Sequence, residues 1–348
     1  MVDEVGESQP SYGSAFEYEP QREPDSAVEV VGAMTAPVSR LPVSRLIALD
    51  TAAPAPDTRL FADDFGELDV VFDEAERVLW YYMAPRGRPS FTREMLGDIR
   101  RLQSQASEVV GSTVGSRETL IRYLVLASHI PGIFNLGGDL QLIGRLVRDR
   151  NQTGLADYAR ACIDVLYRNV IGLDRPLVTV SIVQGHALGG GFEAALSSKL
   201  IIAEEHAKFG FPEVLFNLFP GMGAYSLLAR RIGSIDAERM ITSGKTYKAE
   251  QLYELGVVDI LAPSGEGERA FYEHIGRNGR RFNAHLGVYQ ARQRFDDVSY
   301  DELNDIATAW VDAAMSLGPA DLRKIDRFAA SQDKLSPADG GTGVRSTP

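Results

Sequence analysis

The chain has 348 residues, 44% of them hydrophobic and 24% charged, which excludes wholesale disorder, collagen and coiled coil and leaves room for about two domains or one large α/β unit. No run approaches the ~18–20 apolar residues of a bilayer span, and acids stand where a signal peptide would be basic, so the expected location is cytoplasmic. The net charge of -12 disfavours nucleic acid and anionic membranes as partners, but residues 1–26 alone hold seven acids against one base. Cys162 is the only cysteine, which excludes an intramolecular disulfide and a Cys-based zinc site, and five scattered histidines give no metal motif.

Residues 1–56 mix Pro, Ser, Ala and acids without a period of 2 or 3.6 and read as a disordered acidic tail. Residues 68–72 and 77–83 are two short strands around an acidic turn, a hairpin or meander. Residues 91–107 space Phe91, Met95, Leu96, Ile99 and Leu102 as an amphipathic helix. Residues 123–127 form a buried strand running into a loop with Pro131, Gly132, Gly137 and Gly138, and a helix follows from Leu140. A helix over 155–171 precedes the β-branched strand 177–183, and further buried strands are expected at 199–203 and 257–261. From 266 the chain turns helical, near 269–275, 284–294, 300–317 and 319–331, and residues 336–348 read as a flexible tail. Strands alternating with helices predict an α/β fold with parallel pairing.

Two glycine-rich turns each follow a buried strand and each lead into a helix. The first is Phe134-Asn135-Leu136-Gly137-Gly138-Asp139 and the second is Gly189-Gly190-Gly191-Phe192-Glu193. Glycine lets a ligand approach the backbone, and free N–H groups at a helix start favour negative charge, so the pair can form a two-donor oxyanion hole. Taken singly, each is an ordinary strand-to-helix turn. Neither has GxGxxG spacing, and Gly244-Lys245-Thr246 is no Walker loop because Arg239 stands at the first glycine position. Glu193 and Glu213 are each embedded in sequence that otherwise wants burial, which raises a carboxyl toward neutral pKa and suits acid–base work. Either alone reads equally as a satisfied structural acid.

These two stretches, with Phe209-Gly210-Phe211-Pro212-Glu213-Val214 and Phe219-Pro220-Gly221-Met222-Gly223, resemble the crotonase (enoyl-CoA hydratase/isomerase) superfamily over roughly residues 60–335. Stretches such as Ala194-Ala195-Leu196-Ser197 and Ala224-Tyr225-Ser226 resemble in particular the RpfF-like diffusible-signal-factor synthases. The resemblance implies an α/β crotonase-like fold of repeated ββα units over 57–265 and a C-terminal helical trimerisation region over 266–335. It implies Gly138 and Gly190 as the oxyanion-hole positions and Glu193 and Glu213 as the catalytic pair, with Glu213 assigned to proton abstraction and Glu193 to protonation of the leaving hydroxyl. Leu136, Leu215, Leu218, Met222 and Trp310 are the expected acyl-pocket residues, or plain core.

The implied reaction is dehydration of a 3-hydroxyacyl thioester, on acyl carrier protein or CoA, and thioester hydrolysis to a cis-2-unsaturated acid signal. No cofactor beyond that thioester carrier is expected. The implied assembly is a homotrimer or a dimer of trimers. A conventional enoyl-CoA hydratase or isomerase and a regulatory partner of a sensor histidine kinase are the alternatives. His129 and His186 stand where histidine is unusual in the resemblance, and each reads as a packed or surface imidazole.

Overall fold

The computed structural model describes residue 61 and residues 64–112 and 120–335. The segments expected to be tails, 1–56 and 336–348, lie outside the described residues.

Six strands make the first sheet: β1 (Leu68–Asp73), β2 (Val78–Met83), β3 (Tyr123–Ser128), β5 (Val178–Val183), β7 (Leu200–Glu204) and β10 (Ile260–Ala262). They lie in the order β1-β2-β3-β5-β7-β10. β1 and β2 form the expected antiparallel hairpin, closing at Asp73 opposite Val78, and every later pair is parallel. Side chains alternate across this sheet. Leu79, Tyr81 and Met83 enter the main core, while Val78, Trp80 and Tyr82 enter a second core closed by helices α8 (Gly267–Asn278) and α9 (Phe282–Phe295) through Phe271, Ile275, Phe282 and Leu286. Burial on both faces explains why the strands read as continuous apolar runs.

A second, four-stranded sheet supplies the other strand of each ββα unit that the resemblance implies, although no residue pattern marks its strands. It comprises β4 (Gly132–Asn135), β6 (Gly185–Leu188), β8 (Lys208–Gly210) and β9 (Thr246–Lys248), in the order β4-β6-β8-β9. These strands have three or four residues, too few to show a period of two. Three times the chain leaves the first sheet and enters the second with almost no linker: β3 to β4, β5 to β6, and β7 to β8. The first two passages continue into helices α2 (Leu140–Arg148) and α4 (Gly190–Leu196), and the third into a 3₁₀ turn, Pro212–Phe216. These are the ββα repeats. The crossing is tight: a Cβ on Gly185 would lie 2.1 Å from the carbonyl carbon of Gly132, so only glycine allows the two backbones to meet there.

Helices α1 (Arg93–Ser112) and α3 (Gln152–Val170) pack on the main core. α1 starts two residues later than the apolar spacing predicts, because Phe91 bridges to Gly138 and Thr92 Oγ1 caps the Met95 N–H at 3.0 Å. The strand expected at 257–261 is displaced to Ile260–Ala262. Val257 and Val258 instead donate to the Leu252 carbonyl and close the end of a short helix, Ala249–Glu254. Two further helices, Ala224–Ile232 and Ser234–Ser243, lie where no element is expected from the sequence.

The C-terminal region ends in α10 (Tyr300–Met315) and α11 (Pro319–Lys334), which lie against α3 and α2 respectively. No helix among the described residues is long and apolar enough to cross a membrane. His129 hydrogen-bonds Asp69 at 2.9 Å and stacks on Tyr82, and the half-buried His186 is pushed down to about 4 by burial.

Candidate active site

Because β4, β6 and β8 lie side by side, the segments that follow them converge. The first turn, residues 136–139, presents four successive N–H groups, and three of them are occupied. Leu136 donates to the Pro89 carbonyl (2.7 Å), Gly137 to Asn135 Oδ1 (2.7 Å) and Asp139 to the Tyr158 hydroxyl oxygen (2.9 Å). The Gly138 N–H has no partner among the described residues. Its peptide plane is fixed from behind, since the preceding carbonyl, of Gly137, accepts from the Phe91 N–H at 2.8 Å. Gly190, the first residue of α4, has no carbonyl one turn back to bond its own N–H. The two turns touch: a Cβ on Gly137 would lie 2.9 Å from the Gly190 nitrogen, and one on Gly190 would lie 3.5 Å from the Gly138 nitrogen. The two free N–H groups thus stand close together at the rim of one cavity.

Both glutamates reach the same cavity. Glu193, in α4, is 1% exposed, and its Oε1 accepts the N–H groups of Met222 (2.7 Å) and Ala224 (2.9 Å). Burial pushes its carboxyl up to about 7, against those two N–H donors, which favour the charged form. Glu213 follows the start of the 3₁₀ turn, and its Oε2 is buried without a hydrogen-bond partner. Burial and then the neighbouring Glu193 push it up to about 8. Both carboxyls are thus pushed up by burial, with two N–H donors favouring the charged form at Glu193.

The cavity is narrow, about 80 Å³, room for roughly half a dozen waters at ~10–15 Å³ each. Its walls are mostly apolar. Leu136, Leu218, Met222 and Trp310, four of the five residues expected to form an acyl pocket, line it. Leu215 does not. Its side chain turns toward Gly244, where a Cβ would meet Leu215 Cδ2 at 3.0 Å, because the 3₁₀ turn points Glu213 and Phe216 inward and sends residue 215 outward.

Tyr158, Cys162 and Gln332 also line the cavity, and no motif in the sequence marks them. Tyr158 donates to the Phe91 carbonyl (2.7 Å) while accepting from Asp139, and so ties the end of the first turn to the segment that bridges it. Cys162, one helical turn on, faces the cavity with its thiol pushed up to about 12 by burial, which keeps it protonated and inert. Their i, i+4 spacing on α3 was visible, but nothing in it marks one face as core and another as cavity wall. Gln332 lies almost 200 residues from the turn whose carbonyls it binds.

The buried pair has a consequence for stability. A carboxyl raised from 4.5 to about 8 binds its proton more tightly folded than unfolded, so its contribution to stability is greatest below pH 4.5 and falls as the pH rises toward 8. Glu213→Gln is expected to flatten the decline of Tm across that interval. A decline as steep as in the parent chain would show that Glu213 is not the titrating group.

Residues 114–286 match the family model described as enoyl-CoA hydratase/isomerase. The probable mitochondrial enoyl-CoA hydratase 2 of Arabidopsis thaliana is 27% identical over 235 residues, 67% of this chain and 69% of that protein. The fatty acid oxidation complex subunit alpha of Vibrio cholerae is 28% identical over 172 residues, 49% of this chain, and the match spans only 23% of that subunit's length. Among solved structures, an enoyl-CoA hydratase from Bacillus halodurans superposes with a TM-score of 0.60 at 17% identity, covering 77% of this chain and 99% of that one. Pseudomonas aeruginosa DspI does so with a TM-score of 0.55 at 24% identity, covering 69% and 91%. At these identities the structural likenesses establish the shared fold.

Proposed function

We propose that the chain, whose residues 114–286 match the enoyl-CoA hydratase/isomerase family model, is a crotonase-type enzyme that dehydrates a 3-hydroxyacyl thioester and then hydrolyses the thioester to release a 2-unsaturated fatty acid. The observation that carries the reading is one apolar cavity holding two unoccupied backbone N–H groups and two buried carboxyls with pKa values near neutrality. The Gly138 and Gly190 N–H groups take the thioester carbonyl oxygen, and as the Cα proton leaves they stabilise the enolate charge that develops there.

In the dehydration, the Glu213 carboxylate takes the Cα proton. The electron pair returns from the enolate to form the Cα=Cβ bond, the β-hydroxyl leaves, and protonated Glu193 converts it to water. The pair ends with the proton on Glu213 and Glu193 ionised. The Glu193 carboxylate so formed is held by two N–H groups, while Oε2 of Glu213 has no donor among the described residues. In the hydrolytic step, one of the same carboxylates deprotonates an attacking water, and the same two N–H groups hold the tetrahedral oxyanion.

Release of free acid is supported by the resemblance of Ala194-Ala195-Leu196-Ser197 and Ala224-Tyr225-Ser226 to the diffusible-signal-factor synthases. The second of these stretches begins at the site, where the Ala224 N–H donates to Glu193. Incubation with 3-hydroxydodecanoyl carrier protein and with its CoA counterpart is expected to yield free cis-2-dodecenoic acid. Enoyl thioester without free acid would make the chain a conventional hydratase, and neither product would end the reading.

A further inference from the structure

We propose that Gln332, on the C-terminal helix, binds the carrier arm of the substrate by accepting a hydrogen bond from the amide N–H that lies two methylenes beyond the thioester sulfur. The proposal rests on the thioester reading above.

Gln332 is 4% exposed and lines the cavity. Its Nε2 donates to the carbonyls of Leu136 (3.0 Å) and Gly138 (3.2 Å), the residues on either side of Gly137 in the first glycine turn. Those two acceptors fix the orientation of the carboxamide, since the opposite orientation would set its oxygen against two carbonyl oxygens. Oε1 is then left buried with no partner among the described residues. A buried, unsatisfied acceptor is costly, and one beside a substrate cavity is most simply satisfied by the ligand. The helix is held in place independently of Gln332: Arg88 pairs with both Asp139 (2.8 Å) and Asp333 (2.6 Å), tying α11 to the same turn.

The occupant must bring a donor. In a 3-hydroxyacyl thioester, the hydroxyl is committed to the two carboxyls. Oε1 sits one carboxamide width beyond the carbonyls flanking the turn that takes the thioester oxygen, on the α11 wall with Phe328, Ser331 and Leu335. The Ser331 hydroxyl does not compete for it, because it donates to the Arg327 carbonyl at 3.0 Å. The remaining donor near the reacting end is the cysteamine amide, which coenzyme A and acyl carrier protein present identically.

The test uses two unreactive octanoyl ketones in which CH₂ replaces the thioester sulfur, one ending in an acetamide and the other in the isosteric acetate ester. Titration calorimetry on the full chain is expected to give about five- to tenfold tighter binding of the amide, from one net hydrogen bond. In Gln332→Leu that preference is expected to vanish, read as the ratio of the two affinities, since loss of the Nε2 bonds to the first turn affects both ketones alike. Gln332→Met, close in length and unbranched, serves the same purpose if the leucine variant does not fold. Equal affinities in the parent chain, or an amide preference that survives both substitutions, overturn the role of Gln332. Failure of the parent chain to bind either ketone would instead overturn the thioester reading itself.

Discussion

Glu193→Gln and Glu213→Gln are each expected to lower turnover of a 3-hydroxyacyl thioester by about 10²–10⁴, the usual worth of a positioned acid or base. Glutamine keeps the shape of both side chains. At position 193 its oxygen still accepts the Met222 and Ala224 N–H groups, so the loop over the site stays in place and the loss is chemical. The two variants separate in a second assay. Exchange of the Cα proton of a saturated acyl thioester with D₂O needs only the base and the two N–H donors, so Glu213→Gln should abolish it and Glu193→Gln should retain it. The reverse pattern would exchange the two roles, and near-parental turnover in either variant would remove that residue from the mechanism. The double variant is expected to lose little beyond the worse single one, because the residues act as a unit.

Gly189→Ala is expected to cost at least about 10² in turnover while the chain still folds. Gly189 sits at φ 52° and ψ -125°, a conformation that strains an L residue by about 1–3 kcal/mol. Its Cβ would also stand 2.3 Å from Glu213 Oε1, so the carboxylate must swing away, and a displacement of about 1 Å at reacting groups can cost 10²-fold. Gly256→Ala is the control. It has a positive φ of 77° but nothing within 4 Å of its Cβ, so it should lower Tm without changing turnover. Turnover in Gly189→Ala close to the parent's would mean that Glu213 has room to move without consequence.

The first sheet was legible because its strands are five or six residues of continuous apolar sequence, as in Val178–Val183, and because the Asp73 turn separates two clear strands. The second sheet was not, since a strand such as Lys208–Gly210 has no pattern to read, and its pairing is set by where the neighbouring crossovers emerge. Glu193 and Glu213 stood out as acids in apolar surroundings, and the glycine turns stood out by composition. Leu215 takes the plain-core alternative for a local reason: apolar character says that a side chain is covered, while the 3₁₀ turn decides that it packs by Gly244 and not on the cavity.

Local sequence therefore determined which chemical groups this protein holds, namely two carboxyls primed for burial and two glycine turns able to expose N–H groups, because composition and motif order are properties of short stretches. Tertiary structure alone decided which single N–H of the first turn stays free, since Pro89, Asn135 and Tyr158 must arrive from three other segments to occupy the rest. It also decided that Gln332 closes the cavity, because a hydrogen bond across almost 200 residues leaves no trace in either local sequence. An N–H is left available only when every competing acceptor has been placed elsewhere, and that placement is a property of the whole fold.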